Sequence, residues 1–142
     1  LTFLSPDYID TDTGKNALQT AAWVGCSPDL FKKILKKTQD VDAADSHNGY
    51  TALMSAVSKN RKEMVRALIQ DGRVDPNIQN NLRNTALHMA VRRGYLEMIS
   101  ILLDMPNINT EIKGFGNNTP LESAIALNLR GSIRMLIEHG RR

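Results

Sequence analysis

Few side chains in this sequence could do covalent or metal chemistry, and their spacing argues against it. His47, His88 and His139 lie far apart in the chain, and none is at ligand spacing from the single cysteine, Cys26. A zinc site needs clustered nitrogen and thiolate ligands, and a nucleophilic thiolate needs a base beside it. Neither arrangement is indicated. Ser55 and Lys59 are four residues apart and share one helix face, without a catalytic motif around them. The run Gly114-Phe115-Gly116-Asn117-Asn118 opens like a dinucleotide loop. It lacks the third glycine and the preceding buried strand that bring backbone N–H groups to a pyrophosphate. Asn117-Asn118-Thr119 is formally a glycosylation acceptor, which matters only in a secreted chain. The reading is a protein with no catalytic residues, no cofactor and no metal.

Composition narrows the classes that remain. The chain has 142 residues, 42% hydrophobic and 23% charged, enough for one domain with a core of its own. Aromatic residues are 5%, so that core must be built from Leu, Ile, Val, Met and Ala. Eighteen Lys and Arg against 15 Asp and Glu leave +3, too little to argue for a nucleic-acid or membrane partner. No apolar run approaches the roughly 20 residues that span a bilayer, so membrane insertion is not expected. One cysteine cannot close an internal disulfide, which suits an intracellular setting, cytoplasmic or nuclear. The first residue is Leu1, and the sequence reads as a piece of a longer protein.

The elements that position these residues follow from a repeat. Asn16-Ala17-Leu18-Gln19, Thr51-Ala52-Leu53-Met54, Thr85-Ala86-Leu87-His88 and Thr119-Pro120-Leu121-Glu122 begin four similar segments, spaced 35, 34 and 34 residues apart. Small residues follow one turn later at Ala21-Ala22, Ala56-Val57, Ala90-Val91 and Ala124-Ile125. A second apolar cluster then recurs: Leu30-Phe31 with Ile34-Leu35, Met64-Val65 with Leu68-Ile69, Met98-Ile99 with Leu102-Leu103, and Ser132-Ile133 with Leu136-Ile137. Each unit therefore predicts two helices. Asn or Thr caps the first, and Ala or Pro stands at its first position. A turn is expected at Gly25, Asn60, Gly94 and Gly131, with a longer turn at Cys26-Ser27-Pro28-Asp29 in the first unit. The second helix carries an apolar stripe on one face. Polar stretches at 42–50, 75–84 and 109–118 suit hairpin-like loops between helix pairs.

This pattern resembles the ankyrin repeat, a unit of ~33 residues with a T-P-L-H-x-A signature. Thr85-Ala86-Leu87-His88-Met89-Ala90 is the best match, and the fourth unit keeps Thr119-Pro120-Leu121 but has Glu122 in place of the histidine. The resemblance implies an all-α solenoid of stacked helix-turn-helix units joined by β-hairpin-like loops. The expected repeats are 11–45, 46–79, 80–113 and 114–142, with 1–10 as a capping segment in which Phe3, Leu4, Tyr8 and Ile9 cover the first unit. It also implies that His88 bonds backbone and the Thr85 hydroxyl.

A non-enzymatic protein-binding module follows from the resemblance, with loop tips and the outward faces of the first helices as its surface. The loop-tip candidates are Asp12, Thr13, Lys15, His47, Asn48, Tyr50, Asn81, Leu82, Asn84, Phe115, Gly116 and Asn118. The helix-face candidates are Thr20, Trp23, Val24, Ser55, Ser58, Lys59, Met89, Arg92, Arg93, Ser123, Ala126 and Leu127. Among them Trp23, Tyr50, Leu82, Met89 and Phe115 are large apolar groups the core does not require, and Lys59, Arg92 and Arg93 add positive charge. Aromatic and arginine residues are enriched among interface hot spots. Stacking is expected to bring the three cations side by side, a surface suited to a peptide or loop with acidic residues beside apolar anchors. Arg92-Arg93 reads equally as a solvated turn before Gly94, and Trp23 as packing on residues 1–10. The domain is expected to be a monomeric targeting or scaffold part of a larger chain. The alternative is a regulatory domain docking on a catalytic domain of that chain. Nucleic-acid binding through Arg92, Arg93, Lys59, Lys32, Lys33, Lys36 and Lys37 is the least favoured reading.

Overall fold

The computed structural model describes residues 7–142, so Phe3 and Leu4 of the expected cap lie outside the described residues. Among the described residues there are eight α-helices and no strand. They are α1 (Ala17–Val24), α2 (Pro28–Lys37), α3 (Ala52–Ser58), α4 (Lys62–Asp71), α5 (Ala86–Arg93), α6 (Leu96–Leu103), α7 (Pro120–Ala126) and α8 (Arg130–Gly140). The chain forms two compact units, Leu1–Val74 and Asp75–Arg142.

Within the first unit α1 packs on α3 and α2 on α4, so two helix pairs stack in parallel. The second unit repeats the arrangement, with α5 on α7 and α6 on α8. The caps form as the sequence requires. Asn16 accepts a hydrogen bond from the Gln19 N–H, Thr51 from Met54, Thr85 from His88 and Thr119 from Glu122. Each satisfies one of the backbone donors that a helix start leaves orphaned. The first helices are short and carry small residues, Ala21, Ala22, Ala52, Ala56, Ala86, Ala90 and Ala124, which let neighbouring helices approach. The core of the first unit gathers Leu18, Phe31, Leu35, Leu53, Val65 and Leu68, and that of the second Leu87, Met98, Ile99, Leu102 and Leu136, all buried.

Two details of the sequence reading are corrected. The turn of the fourth helix pair sits at Asn128, with φ of 55°, and not at Gly131, which lies inside α8. Asparagine tolerates the left-handed region, so Asn128 takes the place that Asn60 (φ 55°) and Gly94 (φ 68°) hold earlier. In the first unit, the longer turn expected over Cys26-Ser27-Pro28-Asp29 ends at Ser27. Ser27 caps α2 by accepting from the Leu30 N–H, and Pro28 opens the helix, where its missing N–H costs nothing.

The loop before α1 and the loops between helix pairs are narrow, each closed by a backbone bond: Asp10 N to Lys15 O (2.9 Å), Asp45 N to Tyr50 O (2.9 Å), Asn80 N to Asn84 O (2.9 Å) and Gly114 N to Asn118 O (2.7 Å). They are hairpin-like in shape without a strand ladder.

Candidate interaction surface

In the first unit the site grows from the Asp45–Tyr50 loop. The buried Asp45 carboxylate accepts N–H bonds from His47, Asn48 and Gly49 at 3.1, 2.7 and 3.1 Å. Its other oxygen lies 3.3 Å from Lys15 Nζ, as an ion pair without directional hydrogen-bond geometry. Burial alone would raise this carboxyl's pKa. The Asn48 N–H and the Lys15 ammonium outweigh it and hold the group below its ordinary 3.8. Gln19 of α1 donates to Ala43 O (2.6 Å) and Tyr50 O (3.2 Å), which fixes the loop against the preceding helix.

Tyr50 therefore stands where Trp23, at the end of α1, can meet it. Their ring centroids are 6.4 Å apart at 69°, the edge-to-face arrangement favoured by aromatic quadrupoles. Lys59 closes α3 and places Nζ 4.3 Å from the Trp23 ring centroid, while Lys15 Nζ stands at 5.6 Å. Arg61 locks the end of α1 by donating from Nε to Ala22 O (3.0 Å) and from Nη2 to Trp23 O (2.9 Å). Trp23 keeps 36% of its surface exposed.

In the second unit two loops are tied together. Asn80 Oδ1 accepts from Leu82 N (2.9 Å) and Asn84 N (3.1 Å), which shapes the first loop. Asn84 Oδ1 in turn accepts from Phe115 N at 3.0 Å, and Gln79 Nε2 donates to Lys113 O at 3.0 Å. Gly114 is required by this approach: a Cβ there would come within 2.4 Å of Asn84 Oδ1 and 2.8 Å of His88 Nε2. Leu82 and Phe115 stand on these loops 58% and 54% exposed. The Arg92 guanidinium lies 5.9 Å from the Phe115 ring centroid, and Arg93 is exposed beside it in sequence.

His88 is buried under this second site. The Thr85 N–H donates to Nδ1 (3.2 Å), the Thr85 hydroxyl lies 2.9 Å from the same nitrogen, and Nε2 is 2.9 Å from Asn118 O. An Nδ1 that accepts from a backbone N–H must be unprotonated, so the neutral ring donates from Nε2 to Asn118. Burial pushes its pKa below 6.5, the Asn118 carbonyl opposes that, and Arg92 adds to it. The expected backbone and Thr85 bonding of His88 is therefore present, and it joins α5 to the Gly114–Asn118 loop.

The structure thus brings together Trp23, Tyr50 and Lys59 in the first unit, and Arg92 and Phe115 in the second, with Leu82 on the loop tied to that of Phe115. Met89 is a correction. It is 6% exposed and belongs to the buried run Ala86–Val91 of α5, so it serves the core and not the surface. Ser55, Ser58, Asn84 and Ser123 are likewise buried. Sequence reasoning missed Arg61, Gln19 and Asp45 as positioning residues. The recurrence of an Asp or Asn at the start of three loops, Asp10, Asp45 and Asn80, was the signal that could have found the last.

Helix pairs in tandem, with a Thr or Asn cap, a leucine two residues on and loops closed between pairs, are one repeating design. A family model described as ankyrin repeats (3 copies) matches residues 2–80, 18–113 and 71–142. This chain belongs to the ankyrin-repeat family. The all-α ankyrin fold expected from the sequence is its fold. Ankyrin repeats are in general protein–protein interaction modules, typically without enzymatic activity. No curated protein matches the sequence. No helix among the described residues is long and apolar enough to cross a membrane, and none of their His, Cys, Asp and Glu side chains gather in a group of three or more that could hold a metal.

Proposed function

We propose that this ankyrin-repeat chain binds a partner protein through its loop tips and the outward faces of its first helices, as a targeting or scaffold part of a larger intracellular protein. The observation that carries the reading is the display of Leu82 and Phe115. Both are large, more than half exposed, and mounted on loops whose backbones are fixed by Asn80, Asn84 and Gln79. An apolar anchor already held in place loses little conformational freedom on binding, so more of its burial appears as affinity. Arg92 against Phe115, with Arg93 next to it, gives the same region positive charge. That combination suits a peptide or loop with one or two apolar anchors and acidic residues. The anchors supply most of the affinity, and the charges set approach and orientation.

The test compares two charge reversals in the intact protein. Proteins retained from a cell extract are identified for the wild type, for Arg92→Glu with Arg93→Glu, and for Lys36→Glu with Lys37→Glu on α2. The expected result is loss of the partner from the first variant only, with Tm nearly unchanged in both. Loss from the α2 variant with retention by the α5 variant would place the partner on the second helices and end this reading.

A further inference from the structure

We propose that Trp23, Tyr50 and Lys59 form a seat for a single carboxylate side chain of the bound protein, carried beside an apolar residue. This rests on the protein-binding reading above and names one of its subsites. The argument begins with the charges. Lys15 and Lys59 both reach the Trp23 ring, at 5.6 and 4.3 Å from its centroid. Lys15 is already neutralised by the buried Asp45 carboxylate, 3.3 Å away. Lys59 is paired with no carboxylate among the described residues. Of the two ammonium groups at the ring, Lys59 therefore carries the uncompensated positive charge, held at a defined place by the ring.

The ring holds that charge without exhausting it. A cation–π contact at an exposed site contributes about 0.5–1 kcal/mol through the ring quadrupole. An ammonium has three N–H donors, and no acceptor for those of Lys59 is present among the described residues. The lysine is thus partly ordered before any ligand arrives, which lowers the entropy lost on pairing. The shelf beneath it is rigid, because Tyr50 braces the indole edge-on and Arg61 binds the carbonyls of Ala22 and Trp23. Val24, the next residue, is exposed, so an apolar surface adjoins the cation.

The count of donors selects a carboxylate over a phosphate. A phosphorylated side chain brings about −1.5 to −2 charges and three strong acceptors, and is matched best by several cations or guanidinium forks. Here one ammonium is available. Arg61, the arginine at this site, commits Nε and Nη2 to backbone carbonyls of α1. A single carboxylate matches the one ammonium at the ring that has no carboxylate of its own.

Trp23 is the sole tryptophan, so its emission reports on this seat alone. Short random peptides lacking Trp are selected on the intact protein, then synthesised and titrated while Trp23 emission is followed. The selected peptides are expected to share an Asp or Glu next to an apolar residue and to shift the emission saturably. Lys59→Gln should weaken Kd about tenfold, equivalent to about 1.4 kcal/mol. Replacing the peptide's acid with its amide should cost the same, and both changes together should cost no more than either. Peptides that bind without an acid, that need phosphoserine, or that ignore Lys59→Gln overturn the proposal. If Lys59→Gln is silent while Arg92→Glu with Arg93→Glu abolishes binding, this subsite falls and the protein-binding reading stands. A library that yields no binder counts against both.

Discussion

Leu87 and Leu121 occupy the same place in consecutive repeats, and the structure predicts that removing them costs different amounts. Leu87, the second residue of α5, is 0% exposed and among the largest fully buried side chains. Truncation to Ala there loses both the transfer free energy of the deleted carbons and the contacts around the void they leave. For a fully buried leucine the sum is about 2–5 kcal/mol. Leu121, the second residue of α7, retains part of its surface in water. Part of its side chain has no burial to lose, and a cavity open to solvent fills with water. At roughly 25 cal/mol per Å² of apolar area, Leu121→Ala should cost about 1–2 kcal/mol. Urea denaturation followed by the helical circular dichroism signal measures both, provided the slope with denaturant is unchanged. The reasoning is refuted if Leu87→Ala costs less than about 1 kcal/mol, or if the two variants lose equal stability. Either result would mean that the repeat register places a different leucine in the core.

The remaining predictions concern pH and backbone. Because the neutral His88 has a pKa depressed below 6.5, the unfolded chain takes up that proton first as pH falls. Stability should therefore decline from pH 7 through about 6.5 and level off below the depressed native value, and urea melts that show stability flat or rising between pH 7 and 5 would contradict this. Asp45, held below 3.8, adds a separate loss only at lower pH, as its carboxylate is protonated. Arg83 sits at φ of 68° where the equivalent loop positions are Gly14 (68°), Gly49 (71°) and Asn117 (62°). Arg83→Gly should raise stability by roughly 0.5–1 kcal/mol by relieving that conformation, and a lower Tm in the variant would count against the idea.

What could be read from the sequence was local or periodic. The caps Asn16, Thr51, Thr85 and Thr119 bond to a backbone N–H three residues away, so their function depends on nothing distant. Their spacing then carried the fold. Met89 escaped because periodicity separates inside from outside only when a helix has an outside, and α5 buries six residues in a row, Ala86 to Val91. Gly131 was preferred to Asn128 on residue type alone, although the spacing from Asn60 and Gly94 pointed to Asn128. Arg61 was invisible for a different reason: its partners, Ala22 O and Trp23 O, lie 39 and 38 residues back, and no local signal reports a side chain that reaches across a repeat.

Those long reaches connect fold to function. Gln19 of one repeat holds Tyr50 at the start of the next, and Asn84 of the third repeat holds the Phe115 N–H of the fourth. Tyr50 and the exposed Phe115 are thus each placed by a bond from the preceding repeat, and the bond to Phe115 also satisfies a backbone N–H of its narrow loop. Stacking and display are in this sense one set of interactions within each unit. A surface built this way cannot adapt much to its ligand. On the proposed protein-binding reading it would select a partner that already fits, because the cost of ordering the loops is met when the chain folds.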